Sequence, residues 1–284
     1  MATRREIFRR LCLAATDLYG EEEARQIAEM IITSRGNITR NQLLVEPNEE
    51  LIINDIDNII ADLRRWRPVQ YIIRCADFMD MSLEVCEGVL IPRPETEELV
   101  EWIVADSHSG ERIVDVGTGS GCIAIALARA VPHSEVWAMD ISPEALAIAR
   151  RNGAMFAPNV HFIEGDALGD FSTNFDTKVD IVVSNPPYIP AADRTAMRPN
   201  VTEHEPSLAL FVPDDDPLRF YRAIARTARG MLTDEGRLYF EIYEELSEAM
   251  VAMLRAEGYD DVVLRHDFRD KPRMICARRS LTRR

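Results

Sequence analysis

Apolar positions in the first part of the chain recur at helical spacing. In "NEELIINDIDNIIADLRRW", Leu51, Ile52, Ile56, Ile59, Ile60 and Leu63 share one face, and Asn48 stands where an N-cap would. Segments 3–19 and 21–34 carry the same period, broken by "YGEEEA", whose acids favour the first turn of the second helix. The pattern predicts a small helical bundle over residues 1–75. From 76 to 91, polar and apolar residues alternate around a glycine, which predicts a β-hairpin linker.

Beyond residue 92 the period changes. "RIVDVG", "EVWAMD", "VHFIEGD", "VDIVVSN" and "GRLYFEI" are short β-rich runs, mostly separated by helical stretches such as "CIAIALARAV" and "SPEALAIARRNGA". Strand and helix in alternation predict an α/β fold over 92–284, a mostly parallel sheet with helices on both faces. The last two runs, "DDVVLRHDF" and "RMICARR", are joined only by "RDKP", so a C-terminal antiparallel hairpin is expected to complete the sheet.

At 284 residues and 46% hydrophobic content, the chain can bury a substantial core. Its formal net charge of -15 repels phosphate backbones, so direct DNA binding is not expected. No run approaches the roughly 18 uncharged apolar residues that cross a bilayer, and "MATRREIFRR" lacks the form of an export signal. A cytoplasmic location without membrane attachment is expected. Five scattered cysteines without CxxC or Cys/His spacing indicate neither a disulfide framework nor a metal site. Basic residues gather from Arg265 to Arg284, as a solvated surface or as a patch for RNA or an acidic partner.

Ligands of open α/β sheets sit at the carboxyl ends of the strands, so the residues just after each strand carry the chemistry. The first run ends in Asp115, Val116, Gly117, Thr118, Gly119, Ser120 and Gly121. Glycines at alternate positions let backbone approach a ligand closely. The order D-x-G-x-G-x-G differs from the dinucleotide spacing G-x-G-x-x-G, and an acid before the turn suits a cationic ligand better than a pyrophosphate. That favours S-adenosylmethionine as cofactor, with its ammonium and sulfonium. Asp140, ending the second run, can accept both hydroxyls of a ribose, and Asp166, ending the third, can meet an adenine amino group. Either acid could instead cap a helix or sit in a loop.

The fourth run stops at Asn185, Pro186, Pro187 and Tyr188. Two prolines fix φ and donate no hydrogen bonds, which leaves nearby carbonyls free to accept. Asn185 adds an amide carbonyl and Tyr188 a flat apolar face. Such a corner suits a planar substrate bearing NH2, either a nucleobase or a primary carboxamide. "IPRPETE" places acids in a helix's first turn, and Arg93 or Thr96 is expected to line the cofactor pocket.

These residues resemble the release-factor glutamine N5-methyltransferases. The resemblance rests on "IPRPETEELVEW", "DVGTGSGCIAIALA", "DISPEALAIARRN", "GDAL", "VSNPPYIP", "EHEPSLAL" and "DPLRFYRAI", and covers most of the chain. It implies a Rossmann-like class I methyltransferase sheet and methyl transfer from S-adenosyl-L-methionine to the glutamine of the Gly-Gly-Gln motif of bacterial class 1 release factors. It further implies that Asp115, Gly117 to Gly121, Asp140 and Asp166 hold the cofactor and that Asn185 touches both cofactor and glutamine. Pro186, Pro187 and Tyr188 would continue the substrate clamp, and the helical bundle would help hold the release factor. A monomer without metal is expected.

Two departures from the family pattern bear on substrate docking. Phe211 and Val212, followed by "PDDDP", stand where the family has a glycine pair, and Glu241-Ile242-Tyr243 stands where it often reads Glu-Ile-Gly. Two alternatives remain open on the sequence: an adenine N6-methyltransferase acting on nucleic acid, and a cofactor-binding adaptor without activity.

Overall fold

The computed structural model describes residues 2–279. They divide into two compact units, one made of the chain up to Cys75 with Met197–Glu205, the other of Ala76–Ala196 and the chain from Pro206 onward.

The first unit is helical, with helices Arg4–Tyr19, Glu21–Gly36, Arg40–Val45, Ile56–Arg64 and Val69–Ile73. Leu11, Ile31, Ile32 and Leu63 are fully buried at its centre. The helix expected from Asn48 begins only at Ile56, because Glu50 and Leu51 pair with the start of the chain instead, between turns at 47–49 and 54–55. Leu51 donates its N–H to the Ala2 carbonyl at 3.0 Å, and Glu50 bridges to Thr3. Extended backbone alternates its side chains, so Ile53 enters the core while Ile52 stays 62% exposed. The later segment Met197–Glu205 is tied to this unit by an Arg198–Glu23 ion pair of 2.9 Å.

Thr3 starts the first helix with a capping box: its hydroxyl accepts from Glu6 N–H at 3.3 Å, and the Glu6 carboxylate accepts from Thr3 N–H at 2.8 Å. Thr3→Ala is expected to destabilise the helical unit by about 1 kcal/mol, read as a lower urea midpoint with unchanged slope. An unaltered midpoint would show that the cap contributes nothing.

The second unit opens with strands β1 (Cys75–Phe78) and β2 (Met81–Glu84), which form a two-stranded sheet turning at Met79 and Asp80. Five strands follow the predicted runs: β3 (Arg112–Val116), β4 (Glu135–Asp140), β5 (His161–Glu164), β6 (Val179–Ser184) and, after the short parallel pair β7 (Ile189–Pro190) and β8 (Phe211–Val212), β9 (Leu232–Glu241). The C-terminal hairpin is β10 (Tyr259–His266) and β11 (Pro272–Arg279). The main sheet has the order β10-β11-β9-β6-β3-β4-β5; β9 to β5 run parallel, and β11 is antiparallel to both its neighbours.

Both faces of this sheet are covered. Ile181 and Val183 of β6 pack with helices Pro94–Asp106 and Cys122–Ala130, while Val182 between them packs with helices Arg219–Met231 and Ser247–Ala256. A strand buried on both sides reads as a continuous apolar run, which is why "IVV" carries no polar alternation. The basic C-terminal residues are engaged locally. Arg265 lies 4.1 Å over the Trp102 ring, Arg273 pairs with Asp267, Arg278 with Glu235 and Arg279 with Asp234. Residues 280–284 lie outside the described residues.

Candidate active site

From β3 the chain leads out to β4 and β5 on one side, then returns to β6 on the other. This reversal opens a crevice at the strands' carboxyl ends. A cavity of about 410 Å³ lies there, within the second unit, lined by residues that follow β3, β4, β5 and β6.

The glycine turn forms one wall. Gly117 and Thr118 donate their N–H groups to the Met139 carbonyl at 2.8 and 2.9 Å, which ties the turn to β4. Gly117 and Gly119 have φ of 77° and 56°, and a Cβ at either would meet no atom within 4 Å. Their missing side chains leave a bare cradle facing the cavity. Gly121 serves packing instead: it is not among the lining residues, and a Cβ there would come within 2.9 Å of Ile125.

Asp140 lines the cavity at the end of β4. One oxygen accepts from Gly119 N–H at 2.8 Å and the other from Ser142 N–H at 2.9 Å, while the Ser142 hydroxyl caps the next helix. Each carboxylate oxygen keeps acceptor capacity for a hydroxyl. Burial raises the Asp140 carboxyl, opposed by these backbone hydrogen bonds. Asp166 also lines the cavity; it is exposed and accepts from Leu168 N–H at 2.8 Å. The bare glycine cradle, a carboxylate with acceptor capacity to spare and apolar walls from Ile141 and Leu168 fit an adenosyl group.

Asp115 corrects a sequence expectation. It is fully buried and absent from the cavity wall, where it was expected to face a cationic ligand. The Thr118 hydroxyl donates to it at 2.6 Å, so it braces the glycine turn from beneath. Burial pushes its carboxyl up to about 7, against the Thr118 hydrogen bond. Between the ordinary value of 3.8 and about 7, the folded chain therefore holds a proton that the unfolded chain has lost. This residue's contribution to stability is complete below that window and is lost as pH rises through it. Asp115→Asn, neutral throughout, should gain stability relative to the parent as pH climbs from roughly 4 to 7. Urea titrations across that range test this; a constant difference would refute it. Asp140 adds its own slope in the parent and in the variant alike.

The end of β6, which neighbours β3 in the sheet, lines the cavity as well. Asn185, Pro186 and Pro187 line the cavity, as do Arg93 and Thr96. The Asn185 amide nitrogen lies 3.4 Å from the Thr96 hydroxyl, which donates to Glu241 at 2.6 Å. Tyr188 is placed otherwise than expected. Its ring is not part of the cavity wall but stacks on Tyr243 at 6.0 Å and 12°, and its hydroxyl donates to Glu241 at 3.2 Å. Burial first, and then the Glu241 charge, raise its phenol, which stays protonated.

The departures from the family pattern become supports of this corner. Tyr243 donates its hydroxyl to Asp193 at 3.1 Å while covering Tyr188, and Phe211 and Val212 pair with Ile189 and Pro190 just beyond the prolines. Arg194 lies 5.2 Å over the Phe211 ring. Sequence reading missed Gly88 to Ile91, assigned to the linker, and Pro92, Pro206, Leu208, Ala209 and Phe220, all of which line the cavity. Of these, the family motifs "IPRPETE", "EHEPSLAL" and "DPLRFYRAI" cover all but Gly88 to Leu90; by pattern alone, apolar lining residues look like any others. Glu241 was missed as a site residue because it ends a buried strand.

Residues 95–203 match the Methyltransferase small domain family. A release factor glutamine methyltransferase from Bacteroides thetaiotaomicron is 41% identical over 268 residues, covering 93% of this chain and 95% of the relative. One from Lactococcus lactis is 44% identical over 215 residues, 75% of this chain and 78% of its own. Among solved structures, a methyltransferase from Pyrococcus furiosus is 15% identical with a TM-score of 0.53, covering 72% of this chain and 91% of its own; it shares the fold. The sheet is that of class I methyltransferases, and the cofactor is S-adenosylmethionine. With identity sustained across nearly its whole length and with the proline corner and glycine turn opening into one cavity, the chain belongs to the release factor glutamine methyltransferase family.

Proposed function

We propose that this protein transfers a methyl group from S-adenosylmethionine to the side-chain amide nitrogen of the Gly-Gly-Gln glutamine in bacterial class 1 release factors. The observation that carries this reading is that Asn185, Pro186 and Pro187 line the same cavity as the glycine turn and Asp140. Bound S-adenosylmethionine supplies an electrophilic methyl group on a sulfonium.

The protein's own residues hold and orient. Gly117 and Gly119 receive the cofactor against bare backbone, and Asp140 accepts its ribose hydroxyls. Asn185 accepts a carboxamide N–H through its side-chain oxygen, and the Pro186 carbonyl accepts the second. A carboxamide nitrogen is a poor nucleophile because its lone pair is delocalised. Acceptors fixed at both N–H groups favour pyramidal nitrogen and place it for in-line attack. As the nitrogen gains the methyl, the methyl's bond to sulfur breaks and one amide proton, made acidic by the new bond, passes from its acceptor to water, so the nitrogen needs no prior deprotonation.

Tyr188, with one face covered by Tyr243, stiffens the corner. The helical unit contributes to holding the release factor: nine residues after Tyr188, the chain enters Met197–Glu205, which belongs to that unit. Among the described residues, no helix is long and apolar enough to cross a membrane. Mass spectrometry of the Gly-Gly-Gln peptide, from release factor incubated with cofactor and with or without this protein, tests the reading. A gain of one methyl on the glutamine supports it; label entering nucleic acid while the peptide stays unmodified would overturn it.

A further inference from the structure

We infer that Glu241 is a positioning residue that acts through Thr96 to decide which end of the Asn185 amide faces the substrate, an inference that rests on the function proposed above. Asn185 can accept a substrate N–H only if its oxygen points into the cavity. The two ends of an asparagine amide are nearly equal in shape and differ only in hydrogen-bonding sense, so close packing does not choose between them. A polarity reference is required.

Glu241 supplies it. It ends β9 beside the strand that carries Asn185, since Ser184 is in register with Phe240, and it is only 1% exposed. Burial raises the Glu241 carboxyl, opposed by the Thr96 hydrogen bond, the nearby Arg273 charge and the Tyr188 hydrogen bond; in its ionised form the carboxylate only accepts, so both of its neighbours must then donate. Thr96 does so at 2.6 Å to one oxygen and Tyr188 at 3.2 Å to the other. The Thr96 hydroxyl has a single proton, and Glu241 takes it. Toward Asn185, Thr96 can therefore only accept, and the group that meets it at 3.4 Å is the amide nitrogen. The opposite orientation would set two oxygens against each other with no proton between them. The Asn185 oxygen is thereby directed away from Thr96 and left to accept.

The contact at 3.4 Å is long for a hydrogen bond, so its value lies in excluding the wrong orientation more than in binding strength. Glu241 does not line the cavity. It acts on the Asn185 amide through Thr96, and its other oxygen holds the Tyr188 hydroxyl.

Thr96→Val removes the intermediate hydroxyl, and Glu241→Met removes the acceptor at similar volume. Each is expected to lower kcat on a class 1 release factor about 10-fold, while KM and the affinity for S-adenosylhomocysteine shift less than about threefold. Because both act through one relay, the double variant should be no slower than the slower single variant. Thr96→Ser should recover most of what Thr96→Val loses. Losses that multiply in the double variant, or Glu241→Met turning over within about twofold of the parent, would overturn the inference.

A second readout needs no substrate. The Asn185 side-chain NH2 pair, identified in 15N–1H spectra by its absence from Asn185→Ala, should move in both Thr96→Val and Glu241→Met. A pair that stays in place overturns the inference even if Glu241→Met folds poorly, since Thr96→Val decides it alone. Failure of the parent protein to methylate the release factor would instead refute the functional reading, and the spectra would still judge the relay.

Discussion

Asn185→Ala is expected to lower kcat on a class 1 release factor by about 100-fold or more while changing the affinity for S-adenosylhomocysteine by less than about threefold. The asymmetry follows from geometry. Asn185 and the prolines stand on one wall of the cavity, and the glycine turn and Asp140 form another. Alanine deletes the acceptor for the carboxamide but leaves the cofactor wall intact. Removing one preorganised hydrogen-bonding group aimed at a reacting centre costs about 3 kcal/mol or more of transition-state stabilisation. A gentler loss is expected of Asn185→Asp, which keeps an acceptor but surrenders the amide N–H that meets Thr96. Turnover by Asn185→Ala at the parent rate would remove this residue from the mechanism.

Asp140→Ala should weaken S-adenosylhomocysteine binding about 100-fold, a loss near 2.7 kcal/mol by calorimetry. Two losses combine. The ribose loses a charged acceptor, and the Gly119 and Ser142 N–H groups lose the carboxylate that organises them. Asp140→Asn separates the two, because its one oxygen can hold only one of those N–H groups while keeping the side chain's volume. If Asp140→Ala binds as tightly as the parent, the carboxylate is a structural cap and the cofactor lies elsewhere.

The second prediction also explains why an acid at this place is easily misread. The two roles that the sequence left as alternatives for Asp140 do not exclude each other: it organises the start of the following helix through Ser142 and still presents free lone pairs to the cavity. Asp115 shows the reverse. Its place before three glycines suggests a ligand contact, yet complete burial and the Thr118 hydroxyl turn it into a brace.

The sequence by itself determined the strand-and-helix alternation, the antiparallel final pair, the glycine turn after β3 and the proline corner after β6. Each is written in neighbouring residues: period two or period 3.6, positive φ at glycine, fixed φ at proline. It did not determine that Leu51 to Ile53 run extended, because apolar residues there satisfy a helical spacing equally well and Ala2 and Thr3 break the tie. Nor did it reveal where side chains point across the sheet. Thr96 and Glu241 stand 145 residues apart and meet only because helix Pro94–Asp106 packs against β9. Tyr188 is drawn back from the cavity wall by Tyr243 and Glu241, both beyond any local pattern. Local periodicity specifies which residues can share a face, whereas the partner of a buried polar group depends on strand order, and strand order is fixed only when the whole sheet assembles.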